Sequence, residues 1–239
     1  MRSYAQLCAV ALGLDVIGDR WTLLIVRELL IKGSARYTDL RLGLPGIASN
    51  LLVDRLRELQ REGLVVSASA PPPVAAALFS LTDRGRELEP VLAAIGHWGA
   101  PLLRENAGEF QSHWLALPLR LELTDRWPDQ APIALQIDTG DEPLVLRTGE
   151  GGISATPGRA ENPDAVISGP PALVMALLLG DRPLAELRRA GLAYEGSPSI
   201  LARLRPVREV AAEAFPAHPG RFAKPAIGRT LIEIGEQSC

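Results

Sequence analysis

The stretch Tyr37–Leu64, YTDLRLGLPGIASNLLVDRLRELQREGL, constrains this chain most. Its pattern predicts a short helix over Tyr37–Leu42, a tight turn through Gly43, Pro45 and Gly46, and a longer helix from about Ile47 to Glu62. Ser49 or a neighbour is expected to satisfy the free amides at the start of the second helix, and Gly63 to stop it. At about 100° per residue, Leu51, Leu52, Leu56 and Leu59 fall on one side, and Asn50, Val53, Asp54, Arg57 and Arg61 on the other. A helix held by leucines while it presents donors and acceptors outward meets the requirement for entering the major groove of DNA. An ordinary amphipathic surface helix has the same pattern, so the flanking segments decide between the two.

Ahead of this stretch, Leu7–Ile17 carries Leu7, Val10, Leu14 and Ile17 at helical spacing, with Gly18 to end it. Trp21–Ile31 is apolar on most sides, as a central core helix is, and Gly33 closes it. After Gly63, Leu64–Ser67 and Leu78–Leu81 are short extended runs around the small, proline-rich Ser69–Ala77, which predicts a β-hairpin or wing. Thr82 and Asp83 start a helix, and Arg86–Leu103 carries Leu88, Val91, Leu92, Ile95, Trp98 and Leu102, more apolar than a solitary surface helix. Helix, helix, helix-turn-helix, hairpin, helix is the layout of a winged helix-turn-helix domain.

Six motifs then resemble the HxlR-type winged helix-turn-helix regulators. They are Gly18-Asp19-Arg20-Trp21-Thr22-Leu23-Leu24-Ile25, Arg36-Tyr37-Thr38-Asp39-Leu40, Leu44-Pro45-Gly46-Ile47, Arg55-Leu56-Arg57-Glu58-Leu59, Gly63-Leu64-Val65 and Leu81-Thr82-Asp83-Arg84-Gly85, in order over about Cys8 to Trp98. The resemblance implies a homodimeric transcription factor binding double-stranded DNA, paired through its first and last helices.

Within that frame, Ser49, Asn50 and Val53 lie at the groove-entering end of the recognition helix. Asn50 can pair with adenine and Val53 can touch a thymine methyl. Arg57 lies further along, as a phosphate contact, and Arg36, Thr38 and Arg41 flank the preceding helix, placed to clamp phosphates. At each position the alternative is a solvated side chain. Two departures stand out: Ser67–Ala77 has no charge where the family's wing often carries Arg or Lys, and Asp54 sits on the DNA-facing side. Fewer phosphate contacts mean weaker, less salt-sensitive binding. Arg55 falls toward the leucine side, where it snorkels or pairs internally. Cys8 matches an N-terminal cysteine that some relatives use to sense oxidants, and is a possible redox site. The opposing reading, a small buried hydrophobe, is favoured because only Arg2 is a nearby base.

Behind the polar boundary Glu105–Ser112, Leu115, Leu117, Leu119, Leu121 and Leu123 alternate strictly and predict a strand, with Pro118 placing it at an edge. Ile133–Ile137, Leu144–Arg147, Ile153–Thr156 and Ala165–Ser168 are further extended runs at hairpin spacing. Pro170–Leu179 and Pro183–Ala190 read as helices, Gly191–Glu195 as a last strand and Pro198–Leu204 as a closing helix. Leu178-Leu179-Gly180-Asp181-Arg182-Pro183, Leu187 and Gly191-Leu192-Ala193-Tyr194-Glu195-Gly196 resemble the end of sterol carrier protein-like domains, over roughly 112–205. That resemblance implies a sheet covered by helices around an apolar tunnel, with the helix Ala172–Leu179 lining a site for a hydrophobic small-molecule effector. The alternative is that its side chains fill a dry core.

The expected architecture is therefore a mainly α winged helix-turn-helix domain (1–104), a smaller α+β sterol carrier protein-like domain (112–205) and a tail (206–239) of weak periodicity. The first 104 residues carry 12 Lys/Arg against 10 Asp/Glu and the remaining 135 carry 13 against 18, a mildly basic front and an acidic rear. Two cysteines, Cys8 and Cys239, form no disulfide scaffold, which favours a cytoplasmic protein, and no apolar run is long enough to span a membrane. His97, His113 and His218 are far apart with no cysteine or carboxylate at ligand spacing. No serine-nucleophile or phosphate-loop motif appears, and Gly149-Glu150-Gly151-Gly152 reads as a hairpin turn. No metal, cofactor or catalytic residue is expected. The leading expectation is a ligand-responsive DNA-binding regulator. The alternative is a lipid- or hydrophobic-molecule-binding protein with a vestigial winged helix.

Overall fold

The computed structural model describes residues 3–69, 76–104 and 108–207. The front half runs α1 (Ala9–Ile17), α2 (Thr22–Lys32), β1 (Ser34–Arg36), α3 (Tyr37–Gly43), α4 (Ser49–Arg61), β2 (Val65–Ser69), β3 (Ala77–Leu81), α5 (Asp83–Arg86) and α6 (Glu89–Gly99). β3 pairs antiparallel with both β2 and β1, so the wing is three-stranded, and the short β1 was not foreseen. The predicted hairpin loop lies in part outside the described residues.

Two further expectations about the front half are corrected. The helix predicted to continue from Thr82 through Leu103 is broken at Glu87–Leu88, because Pro90 has no N–H to offer the preceding turn and so begins a new helix. Ser49 is not the cap of α4: Ala48 holds that place without a side-chain hydrogen bond, and Ser49 is the first helical residue.

The front core is built from α2, α3, α4 and the wing. Ile25, Val26 and Leu29 meet Leu40, Leu44, Leu52, Leu56, Leu59, Leu64 and Leu81, all buried. The leucine face of α4 packs as its spacing requires, with Leu51 at the margin. Between α3 and α4 the chain reverses at Gly46, whose φ of +86° is a conformation that favours glycine.

The rear half runs α7 (Ala116–Glu122), β4 (Leu123–Asp125), β5 (Ala134–Asp138), β6 (Leu144–Gly149), β7 (Gly152–Pro157), β8 (Ala165–Ser168), α8 (Pro171–Leu178), α9 (Leu184–Arg189), β9 (Ala193–Gly196), α10 (Pro198–Arg203) and β10 (Leu204–Pro206). The principal sheet has the order β7-β6-β5-β8-β9; β8 lies parallel to β5, so the hairpin-only reading is corrected to a meander with one crossover. β4 pairs instead with β10. Arg203, buried at the end of α10, binds Asp125 at 2.7 and 2.8 Å and donates to the carbonyls of Trp127, Gln130 and Ala131, fixing that loop.

The strand predicted over Leu115–Leu123 is a helix until Leu123. A 3-10 turn, Ser112–Leu115, leads into α7, which is wedged among α2, α6 and the sheet. Leu115, Ala116, Leu117 and Leu119 are all buried, so apolar residues are required around most of the helix and their alternation carries no strand information. Pro118 falls in the first turn, where a missing N–H costs no helical hydrogen bond.

The halves share buried surface. Ile31 of α2 belongs to the rear core, and Leu92 of α6 packs against both cores. Arg120 donates to the carbonyl of Leu30 and binds Glu89 at 2.6 Å. α2 is therefore apolar on most sides because it is covered from both directions.

Candidate nucleic-acid interface

α4 presents the residues expected to read DNA. Ser49 and Asn50 are exposed in its first turn, Val53 is half-buried one turn on, and Arg57 is 72 % exposed beyond it. Arg36, Thr38 and Arg41 are exposed on and just before α3. Asp39 accepts from the Arg36 N–H at 3.0 Å, which fixes the start of α3. Tyr37 donates its hydroxyl to the Ser49 carbonyl at 3.0 Å, tying the front of α3 to the front of α4. The two groups of candidate residues thus sit on one helix-turn-helix unit.

Asp54 lies on the same exposed side, 3.7 Å from Arg57 Nη1. At that distance and exposure the pair is weak, yet the carboxylate offsets part of the charge Arg57 brings. Arg61 stands 3.6 Å from Glu58. Arg55 turns inward as expected, binding Asp19 and Glu58, so α4 is anchored to the loop before α2. The described residues of β2 and β3 carry no charged side chain.

The reading of Cys8 as a buried hydrophobe is corrected. Cys8 is exposed at the N-cap of α1, and the backbone N–H groups of Ala11 and Val10 draw its thiol below the ordinary value. The unpaired amides of a helix start favour a thiolate without any nearby Lys or Arg. Cys239 and His218 lie outside the described residues.

A second feature escaped the sequence. Glu28 of α2 is fully buried and stays charged, its carboxylate surrounded by donors. Arg27 donates through Nε at 3.1 Å and Nη2 at 2.8 Å, Lys32 through Nζ at 3.0 Å, His113 through Nε2 at 2.8 Å and Trp114 through Nε1 at 3.1 Å. Burial alone would raise the Glu28 pKa; the hydrogen bond from His113 and the charges of Arg27, His113 and Lys32 outweigh it and hold the group below the ordinary carboxylate range. The Arg27 guanidinium also lies 4.5 Å over the Trp114 ring. His113 has its carboxylate after all, from a distant part of the chain.

In the rear half, Leu177 and Leu178 of α8 border a cleft of about 230 Å³ with Leu201, Leu204, Arg126 and Arg205. Val174, on the same helix, packs fully into the core. Among the described residues no helix is long and apolar enough to cross a membrane, and no group of three or more His, Cys, Asp or Glu is placed to hold a metal ion.

Comparison with known proteins matches residues 16–107 to the HxlR-like helix-turn-helix family. The uncharacterised HTH-type transcriptional regulator YvaP of Bacillus subtilis is 38 % identical over 84 residues, 35 % of this chain and 77 % of that protein. The uncharacterised HTH-type transcriptional regulator sll1512 of Synechocystis is 36 % identical over 107 residues, 44 % of this chain and 76 % of that protein. Among solved structures, the redox regulator HypR in its oxidised form is 31 % identical, with 43 % of this chain and 100 % of that one aligned at a TM-score of 0.36.

Proposed function

The chain belongs to the HxlR-like helix-turn-helix family, and from that premise we propose that it is a DNA-binding transcriptional regulator acting in the cytoplasm as a homodimer. The observation that carries this reading is the exposed row Ser49, Asn50, Val53 and Arg57 on a helix whose opposite face is buried, flanked by exposed Arg36, Thr38 and Arg41. Asn50 reads a base edge; Arg36, Thr38, Arg41 and Arg57 hold phosphates.

The homodimer reading rests on an exposed apolar surface. Val10 is 70 % exposed and Trp98 78 % exposed, with Leu12 and Leu14 also exposed on α1, Leu7 exposed just before it and Ile95 exposed on α6. So much exposed apolar surface on these two helices marks an interface. Pairing there sets two recognition helices about one DNA turn apart over an inverted repeat.

We assign residues 1–104 to DNA binding and dimerisation and 112–205 to an effector domain of sterol carrier protein-like type, with 206–239 a tail. The helices flanking a five-stranded sheet support a hydrophobic small molecule as effector, held between those helices and the sheet. A second reading, a hydrophobic-ligand carrier with a vestigial winged helix, draws on Asp54 beside Arg57 and on the uncharged described wing strands. The double variant Asn50→Ala/Arg57→Ala separates the two. Lost duplex binding with folding and dimerisation intact supports the regulator, and unchanged binding contradicts the assignment of α4.

A further inference from the structure

Glu28 sits where the rear half meets the helix-turn-helix. Three of its donor contacts come from the front half and two, from His113 and Trp114, from the segment that opens the rear half. The same Lys32 that binds Glu28 donates to the Asp39 carbonyl at 3.0 Å, and Arg27 reaches the Gly43 carbonyl at 3.4 Å. Gln111 donates directly to the Leu42 carbonyl at 2.9 Å. Leu42 and Gly43 end α3, where a helix leaves its carbonyls without partners of its own. The fit is close: a Cβ on Gly43 would collide with the Glu28 carboxylate.

The other end of this segment is fixed in the rear domain. Ser112 is fully buried; its backbone N–H donates to Asp141 at 3.1 and 3.2 Å, and its hydroxyl bonds both Asp141 and Thr139. Thr139 and Asp141 belong to the loop between β5 and β6. Hydrogen bonds therefore tie that loop to Ser112, the adjacent His113 and Trp114 to Glu28, and the donors of Glu28 to the turn that leads into α4.

We propose that Gln111–Trp114 is a strap through which the rear domain sets the geometry of the helix-turn-helix, with His113 and Trp114 as positioning residues that act through Glu28. The proposal rests on the regulator reading for its effect on DNA. Its structural half, the hold on the α3–α4 turn, stands independently of that reading. Movement of the β5–β6 loop shifts the strap and changes which donors Glu28 shares with the turn. An occupant of the rear domain that stabilises one position of the loop thereby favours one arrangement of the recognition helix.

The test uses the full chain and a duplex selected from a random library. Affinity is measured for the wild type, His113→Ala/Trp114→Phe, His113→Gln and Gln111→Ala, with amide exchange over residues 39–47 followed in each. The double variant should bind on the order of tenfold more weakly and exchange faster over 39–47. His113→Gln, whose amide can still donate to Glu28, should restore both. Gln111→Ala, which alters only a half-buried side chain, should fold normally and exchange faster near Leu42, and it decides the question if the double variant does not fold. Wild-type affinity and exchange in these variants overturn the strap. If the wild type itself selects no duplex, the regulator reading fails, and exchange alone then decides: faster exchange supports the strap and unchanged exchange overturns it.

Discussion

The carboxylate of Glu28 and the imidazole of His113 stand 2.8 Å apart and buried, although 85 residues separate them in the chain. This contact joins α2, behind the helix-turn-helix, to the first turn of the rear half. It also places a charge in the interior, tolerated because the carboxylate's acceptor positions are filled.

Stability should fall in acid through this site. The Glu28 pKa is lowered in the folded chain relative to an unfolded value of about 4.3. Its contribution is complete above that unfolded value and is lost as pH falls through the lower folded one. Urea midpoints followed by tryptophan fluorescence should decline below about pH 4.3. Glu28→Gln should flatten part of that decline while costing about 3 kcal/mol at neutral pH, because it strands the buried donors. Equal acid sensitivity in the variant would assign the effect elsewhere.

Gly43→Ala should destabilise the chain by about 1–3 kcal/mol, since its methyl must displace the Glu28 carboxylate. Thermal melts of the single variant and of Glu28→Gln/Gly43→Ala should show non-additive losses, because the two changes meet at one point.

The apolar face of α1 and α6 predicts that Val10→Asp or Trp98→Glu yields monomers in sedimentation experiments. Both residues are well exposed in the single chain, so its fold should persist while cooperative DNA binding is lost. A dimer that survives both substitutions would move the interface elsewhere.

Arg57→Ala should lower the magnitude of the salt slope of DNA binding by about 1.8 per dimer, the share of two phosphate contacts at about 0.9 each. Asp54→Asn should strengthen binding by removing a carboxylate that repels the backbone. Unchanged slope and affinity would take both residues out of the interface.

Much of the front half was legible because its signals are local: the leucine spacing of α4, Gly46 at the reversal, and Thr82, whose hydroxyl caps α5 by accepting from Gly85 N–H. The same periodicity placed Asn50 and Arg57 on the exposed side of α4. What failed depends on long-range packing. Leu115–Leu123 alternates like a strand, yet α7 is apolar on most sides because α2, α6 and the sheet surround it. β1 and β10 are three residues each and exist through partners distant in the chain. Exposure of Cys8 was hidden because it depends on where α1 packs. No spacing rule connects Glu28 with His113. A glutamate among the many apolar residues of α2 was the available signal, since a buried carboxylate requires donors from somewhere.

Cys8 provides a chemical check on that exposure. Its alkylation should be fast at neutral pH, with a midpoint below that of an unstructured cysteine peptide, since the α1 amides favour the thiolate. Peptide mapping isolates it from Cys239. A midpoint at or above the free-peptide value would contradict the helix-start explanation.

Selection of the purified full-length chain against a random duplex library at moderate salt tests the central claim most directly. The account predicts an enriched inverted repeat with half-sites about one helical turn apart, retained by the wild type and lost in Asn50→Ala/Arg57→Ala. A folded, dimeric protein that enriches no sequence would contradict it.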